Sequence, residues 1–305
     1  MNVPRVAIGP SADESITHAV IEGGGEPTGL DGGADALVWL APWDAEGLRA
    51  AVAATSPRWV QLSSAGVERV AEAGVLDDKR VWTCAKGSYA EPVAEHALML
   101  ALAGLRVLPE RVTARSWGQP AGASMFGENV TILGAGGIAA VLLQLLRPFR
   151  VSATVVRRGQ EPMPGAARTV PMAGLADALA GAKVVFLALA LTPQTAGIVG
   201  AAELAAMRPD SWLVNVARGR HVQTDALVAA LDAGTIAGAA LDVTDPEPLP
   251  DGHPLWGHPR CIITPHTADT IEMVIPMLAA RVCENTARFA AGRPLEGLVD
   301  PTVGY

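Results

Sequence analysis

Gly134-Ala135-Gly136-Gly137-Ile138-Ala139 follows the apolar run Val130-Thr131-Ile132-Leu133 and precedes a helical pattern. In a strand–turn–helix of this kind the first glycine permits the tight turn. The second lets the backbone approach a pyrophosphate, and a small third residue lets helix and strand pack closely. The anion is then held by free N–H groups at the helix N-terminus. The same turn also serves ordinary strand–turn–helix units, and a methyltransferase can use a similar one for an adenosyl cofactor. Context favours the dinucleotide. Strand candidates follow at residues 130–133, 151–156, 184–189, 212–216, 237–241 and 261–264, with helix candidates between most of them. That length and order predicts a doubly wound parallel sheet, with Gly134, Gly136, Gly137 and Ile138 lying against the pyrophosphate.

The second of these strands runs into Arg157-Arg158. A site for NAD usually carries an acidic residue here to accept from the ribose 2′-OH. Guanidinium forks instead match a 2′-phosphate and keep their charge. The pair therefore predicts NADP(H) as the preferred cofactor, with NAD(H) possible. The alternative is two solvated loop charges.

Upstream, residues 6–8, 37–40 and 59–62 read as buried strands, and 44–54 and 67–73 as helices between them. That is a second βαβ series. A long helical segment opens at Glu91-Pro92-Val93-Ala94-Glu95-His96 and is expected to reach about residue 116, with Pro109 as a kink or break. The last helical segment spans 271–291, and Pro276 suggests that the helix starts there.

Bulk properties fit an α/β protein of two domains. The chain has 305 residues, half of them apolar and 18% charged, with 32 glycines spread between apolar runs. The net charge of −8 and the lack of a basic stripe exclude a broad nucleic-acid footprint and argue against docking on anionic lipid. Cys84, Cys261 and Cys283 are odd in number and lack metal-site spacing, so buried or half-buried thiols in a reducing cytoplasm are expected. No secretory signal is read at the N-terminus, and the apolar stretch 97–108 is too short to span a bilayer.

Three strand ends carry the chemistry: Asn215-Val216-Ala217-Arg218-Gly219, the segment from Asp242 to Pro246-Glu247-Pro248, and Thr264-Pro265-His266-Thr267. Ligands of an open parallel sheet bind outside the carboxyl ends of its strands, so Arg218, Glu247 and His266 are delivered to one edge. Reduction of a 2-keto acid needs a hydride, a proton and a grip on a carboxylate. His266 can donate the proton. Glu247 can fix its tautomer and raise its pKa. Arg218 can bind the carboxylate and stabilise the developing alkoxide. Each residue alone also suits an ordinary loop.

In the order and spacing of these motifs the chain resembles the D-isomer-specific 2-hydroxyacid dehydrogenase family. The likeness, nearest to its NADPH-preferring glyoxylate/hydroxypyruvate reductases, covers nearly the whole chain. It also takes in Gln61-Leu62-Ser63-Ser64-Ala65-Gly66, Val93-Ala94-Glu95-His96 and Leu191-Thr192-Pro193-Gln194-Thr195. It implies a doubly wound cofactor domain, residues 93–272, inserted into a smaller flavodoxin-like substrate domain, residues 1–92 and 273–305. It further implies a cytoplasmic homodimer joined through the cofactor domain. Ser64, Ala65 and Gly66 would receive the substrate carboxylate. Thr192, Ala217 and Asp242 would line the cofactor, though Asp242 can equally cap local backbone. Trp39 and Trp43 end another substrate-domain strand; core packing is the favoured role for either, with one of them walling the pocket as the alternative. His96 reads as structural or as a dimer contact, and His18, His221, His253 and His258 as surface or loop residues. Departures from the family pattern are Ala139 for the last glycine, Ala190 for a proline and Arg157 for the acidic ribose reader. The small-molecule partner is a 2-keto or 2-hydroxy acid. The competing readings are a non-catalytic NADP sensor on the same fold and a formate- or phosphite-type dehydrogenase.

Overall fold

The computed structural model describes residues 3–303. The chain forms two compact units, Met1–Tyr89 with Thr270–Tyr305, and Ala90–Asp269. The boundaries expected from the sequence, 92/93 and 272/273, lie three residues further on at each junction.

In the first unit β1 (Arg5–Gly9), β2 (Glu26–Thr28), β3 (Ala36–Trp39), β4 (Trp59–Leu62) and β5 (Val81–Thr83) pair in parallel in the order β2-β1-β3-β4-β5. Successive side chains alternate between two faces. Ala7, Leu37, Trp39, Val60 and Leu62 pack under the helix Ala45–Thr55. Val6, Ile8, Ala36, Val38 and Trp59 pack under Glu14–Glu22 and Ile271–Ala290. Both faces are dry, so the strands are apolar runs rather than alternating ones. The two edge strands, β2 and β5, are three residues long and have no such run, which hid them from periodicity.

In the second unit β6 (Asn129–Leu133), β7 (Ser152–Arg157), β8 (Arg168–Pro171), β9 (Val184–Leu187), β10 (Trp212–Asn215), β11 (Gly238–Leu241) and β12 (Cys261–Ile263) form a parallel sheet ordered β12-β11-β10-β9-β6-β7-β8. The chain walks outward from β6 to β8, then returns to β9 on the other side of β6. That reversal opens a crevice at the carboxyl ends of β6 and β9. Ala90–Leu105 and Gly137–Leu146 cover one face, burying Leu100, Leu142 and Leu146 against Val130, Ile132 and Phe186. On the opposite face Leu179, Leu204 and Leu231, from three further helices, pack with Val185, Leu187 and Leu213.

Two expectations about helix ends need correction. The long helix does not reach residue 116. It ends at Leu105, Val107 turns left-handed (φ 47°), and Pro109 sits in the first turn of a new helix, Leu108–Thr113. Of the kink and the break expected at Pro109, the break is observed, and in that first turn its missing N–H costs nothing. Pro276 does not start the last helix, which runs through it as Ile271–Ala290. Burial of Leu278 and Val282 against the first sheet outweighs the one lost backbone bond.

Candidate active site

The glycine turn joins β6 to the helix Gly137–Leu146 at the switch point. Gly134 has φ +111°, and a Cβ there would lie 2.1 Å from the Ala188 carbonyl oxygen, so only glycine fits. A Cβ on Gly136 would meet nothing within 4 Å. The space above Gly136 is therefore open on the side where a ligand could approach. Ala139 is fully buried against the sheet, which is why a small residue is needed there. Gly136 precedes the helix without any side-chain cap, so the first-turn N–H groups have no intrahelical partner and face the switch point. These features fit a dinucleotide pyrophosphate.

Arg157 ends β7, beside the turn, where the Gly134 N–H donates to Val156 O at 2.8 Å. Its guanidinium reaches the Glu161 carbonyl at 3.2 Å and the Glu161 carboxylate at 3.6 Å. Arg158 follows on the exposed side. The Thr192 N–H donates to Thr195 Oγ1 at 2.8 Å, folding residues 190–195 into a turn beyond β9.

At the far side of the sheet the ends of β10, β11 and β12 converge. Oε1 of Glu247 lies 2.6 Å from Nδ1 of His266. That hydrogen bond, ahead of the opposing cost of burial and aided by the glutamate charge, raises the His266 pKa above its ordinary 6.5. The same bond lowers the Glu247 carboxyl, with partial burial opposing and the Arg218 charge assisting. Arg218 in turn opposes the rise at His266, so one guanidinium acts on both members of the pair. The sheet thus brings Arg218, Glu247 and His266 into one electrostatic cluster.

His266 is left-handed (φ 53°), a conformation that costs a non-glycine residue about 1–2 kcal/mol. The turn is held by Asp242. The His266 N–H donates to Asp242 O at 2.8 Å. The Asp242 carboxylate, 1% exposed, accepts from Thr264 Oγ1 at 2.6 Å, Thr267 N–H at 2.9 Å and Ala268 N–H at 3.1 Å. Burial pushes this carboxyl up, but its contacts with His96, Thr264, Thr267 and Ala268 outweigh that and hold it below the ordinary aspartate range. The backbone-capping alternative for Asp242 is thus observed. His96 Nε2 lies 3.0 Å from Thr264 Oγ1 and 3.3 Å from Asp242 Oδ1, so His96 braces the same turn from the helix Ala90–Leu105. Asp269, three residues past His266, has its carboxyl pushed up by burial, with the His266 and Arg218 charges opposing.

Sequence reasoning missed how Arg218 is held. Asn215 is fully buried; its Oδ1 accepts from Ala217 N–H at 3.0 Å and its Nδ2 donates to Arg218 O at 2.9 Å. His221, expected as a surface or loop residue, is also fully buried, and its Nδ1 lies 3.2 Å from the Arg218 N–H nitrogen. No periodicity flags a polar residue in a turn as buried, so nothing in the sequence marked it.

The remaining candidates belong to the other unit. Ser64 Oγ donates to Gly66 O at 2.6 Å, closing the Ser64-Ala65-Gly66 loop at the end of β4. For Trp39 the core-packing role is the one observed, which corrects its placement as a pocket wall. It is 2% exposed, packs in the core, and its indole N–H is satisfied by Ala41 O at 2.8 Å. The exposed indole beyond β3 is that of Trp43, at 72%.

Comparison with known proteins agrees with this geometry. Residues 96–268 match the family model "D-isomer specific 2-hydroxyacid dehydrogenase, NAD binding domain". A Corynebacterium melassecola protein, named for its position in the proB 3′ region, is 43% identical over 254 residues, 81% of this chain and 84% of that one. Glyoxylate/hydroxypyruvate reductase A of Klebsiella pneumoniae (strain 342) is 38% identical over 178 residues, 58% of this chain and 56% of the reductase. The match thus spans little more than half the length of that relative. The fold superposes on a D-isomer specific 2-hydroxyacid dehydrogenase from Xanthobacter autotrophicus Py2, solved with NADPH and MES, with TM-score 0.83, 26% identity and full coverage of both chains. Among the described residues no helix is long and apolar enough to cross a membrane. Fold, strand-end cluster and sequence match together assign the chain to the D-isomer specific 2-hydroxyacid dehydrogenase family, as a nicotinamide-dependent oxidoreductase.

Proposed function

We propose that the protein reduces a small 2-keto acid to a D-2-hydroxy acid, or runs the reverse reaction, with NADP(H) preferred and NAD(H) possible. The observation that carries this reading is the Glu247–His266 pair, bonded at 2.6 Å and under the charge of Arg218. A pair so arranged favours the imidazolium form that a proton donor needs.

NADPH, when bound, supplies the hydride. Gly134, Gly136, Gly137 and Ile138 would hold its pyrophosphate and Arg157 and Arg158 its 2′-phosphate, with Thr192, Ala217 and Asp242 lining the rest of its path. Arg218 grips the substrate carboxylate and polarises the ketone. His266 gives a proton to the alkoxide oxygen as charge builds there, and Glu247 neutralises the imidazolium beforehand. In the reverse direction His266 takes that proton back. The Ser64-Ala65-Gly66 loop would add backbone N–H groups to the carboxylate. NADPH in the Xanthobacter structure and the reductase name of the Klebsiella relative support the cofactor and substrate class.

The same reading makes Ala90–Asp269 the cofactor domain and the other unit the substrate domain. It expects a cytoplasmic homodimer, where the reduced cofactor is regenerated. Met99 (43%), Val112 (68%) and Trp117 (97%) are exposed apolar side chains on the cofactor unit that a dimer contact would cover.

The test is loss of nicotinamide absorbance with a panel of 2-keto acids, with NADPH and NADH in parallel. Fast NADPH oxidation with one acid is expected. Tight NADPH binding without turnover of any acid would defeat the reading and favour a sensor or a formate- or phosphite-type reaction.

A further inference from the structure

We propose that His221 is a positioning residue that locks the main chain of Arg218 to the turn at residues 190–195; its role rests on the reading of Arg218 as the carboxylate grip. The ring is fully buried and lies one turn beyond Arg218. Its Nε2 is 3.3 Å from Ala190 O, and its Nδ1 is 3.2 Å from Arg218 N and 3.1 Å from Arg218 O. A carbonyl can only accept, so Nε2 carries the proton. A neutral ring protonated there has no proton on Nδ1, so Nδ1 accepts from the Arg218 N–H, and Arg218 O accepts from Asn215 Nδ2 at 2.9 Å. A neutral ring protonated on Nε2 satisfies both contacts.

The bonds continue beyond the ring. Ala190 O also accepts from Thr195 Oγ1 at 2.8 Å, and Thr195 Oγ1 accepts from Thr192 N–H at 2.8 Å. A continuous path thus joins Arg218 to the turn that carries Thr192. The neighbouring backbone is tied to residues 197–199. Gly197 N–H donates to Arg220 O at 2.8 Å and Val199 N–H to His221 O at 2.9 Å. A Cβ on Gly219 would lie 1.9 Å from Thr244 O. With the main chain clamped on both sides of Arg218, its side chain leaves from a fixed Cα, which is what a bidentate grip on a carboxylate requires.

Three variants separate the two ring contacts. His221→Leu fills the space and removes both. His221→Asn offers an amide oxygen near the place of Nδ1, and His221→Gln an amide nitrogen near that of Nε2. At saturating NADPH the Leu variant is expected to raise the keto-acid KM about tenfold, as loss of an aligned hydrogen bond would. The NADPH Kd should change less than the keto-acid KM, since the ring bonds Arg218 directly and reaches that ligand's site only through the Thr192 turn. The Asn and Gln variants each keep one contact only, so both should fall between wild type and Leu, and neither should restore the wild-type KM. Equal KM for Leu and wild type, or a wild-type KM in Asn or Gln, would overturn the proposal. The Asn and Gln variants decide it if the Leu variant does not fold. An activity-free readout is the imidazole 15N spectrum of labelled wild type, assigned against His221→Gln. A neutral ring with its proton on Nε2 supports the proposal, and a ring protonated on Nδ1 overturns it. If wild type reduces no keto acid, the functional reading fails and the 15N spectrum alone judges His221.

Discussion

Glu247 Oε1 and His266 Nδ1 are 2.6 Å apart although 19 residues separate them in sequence. They come from loops that follow two adjacent strands, β11 and β12. The contact fixes which ring nitrogen faces the carboxylate and, on the proposed reading, leaves Nε2 for the reacting oxygen. Because the folded pKa of His266 is raised, its protonated form persists above the ordinary 6.5. The stability that the pair gives through His266 is full below the unfolded pKa and is lost as pH rises through the folded one. The lowered Glu247 works in the other direction, its contribution lost as pH falls through its folded pKa.

Reduction should therefore lose rate on the alkaline side as His266 deprotonates, and oxidation should gain there. Glu247→Gln removes the largest cause of the upward shift. Its alkaline limb for reduction should move to lower pH, with kcat/KM down roughly tenfold or more at neutral pH. A pH–rate profile of both proteins checks this, and an unmoved limb would mean that Glu247 does not tune His266.

His266→Ala should lower turnover by roughly 100- to 10,000-fold, the range expected for loss of a general acid. NADPH fluorescence titration should give a Kd near that of wild type, because the turn around Gly134 is left intact. Retention of most of the rate would remove His266 from the mechanism.

Arg157→Gln combined with Arg158→Gln should raise the KM for NADPH about tenfold or more, since charge-assisted bonds to a phosphate are among the stronger ones. The KM for NADH should change little. Parallel kinetics with the two cofactors decide, and equal effects on both would make the pair ordinary surface charge.

Gly134→Ala and Gly136→Ala should part company. The first puts a methyl 2.1 Å from Ala188 O at φ +111°, so the strand end must shift, and thermal unfolding should drop by many degrees or the protein should fail to fold. The second meets no protein atom within 4 Å, so the fold should be kept while NADPH binding weakens. Calorimetry with cofactor titration tests both. Unchanged NADPH affinity in Gly136→Ala would move the pyrophosphate elsewhere.

The amino-acid order alone determined the parallel α/β class, the glycine turn and the three strand ends. These are local signals: apolar runs of strand length, a turn that needs glycine, and polar residues just past a run. Tertiary structure decided the rest. The edge strands β2, β5 and β8 form because a neighbouring strand offers hydrogen bonds, not because their own residues call for it. Trp39 and Trp43 lie four residues apart, yet only the fold sends one into the core and leaves the other at the surface. Asp242 and His221 differ from ordinary loop residues only through partners brought to them from elsewhere in the sheet. Burial of a polar group is set by which distant donors and acceptors satisfy it, and those arrive by register and packing that no local pattern encodes.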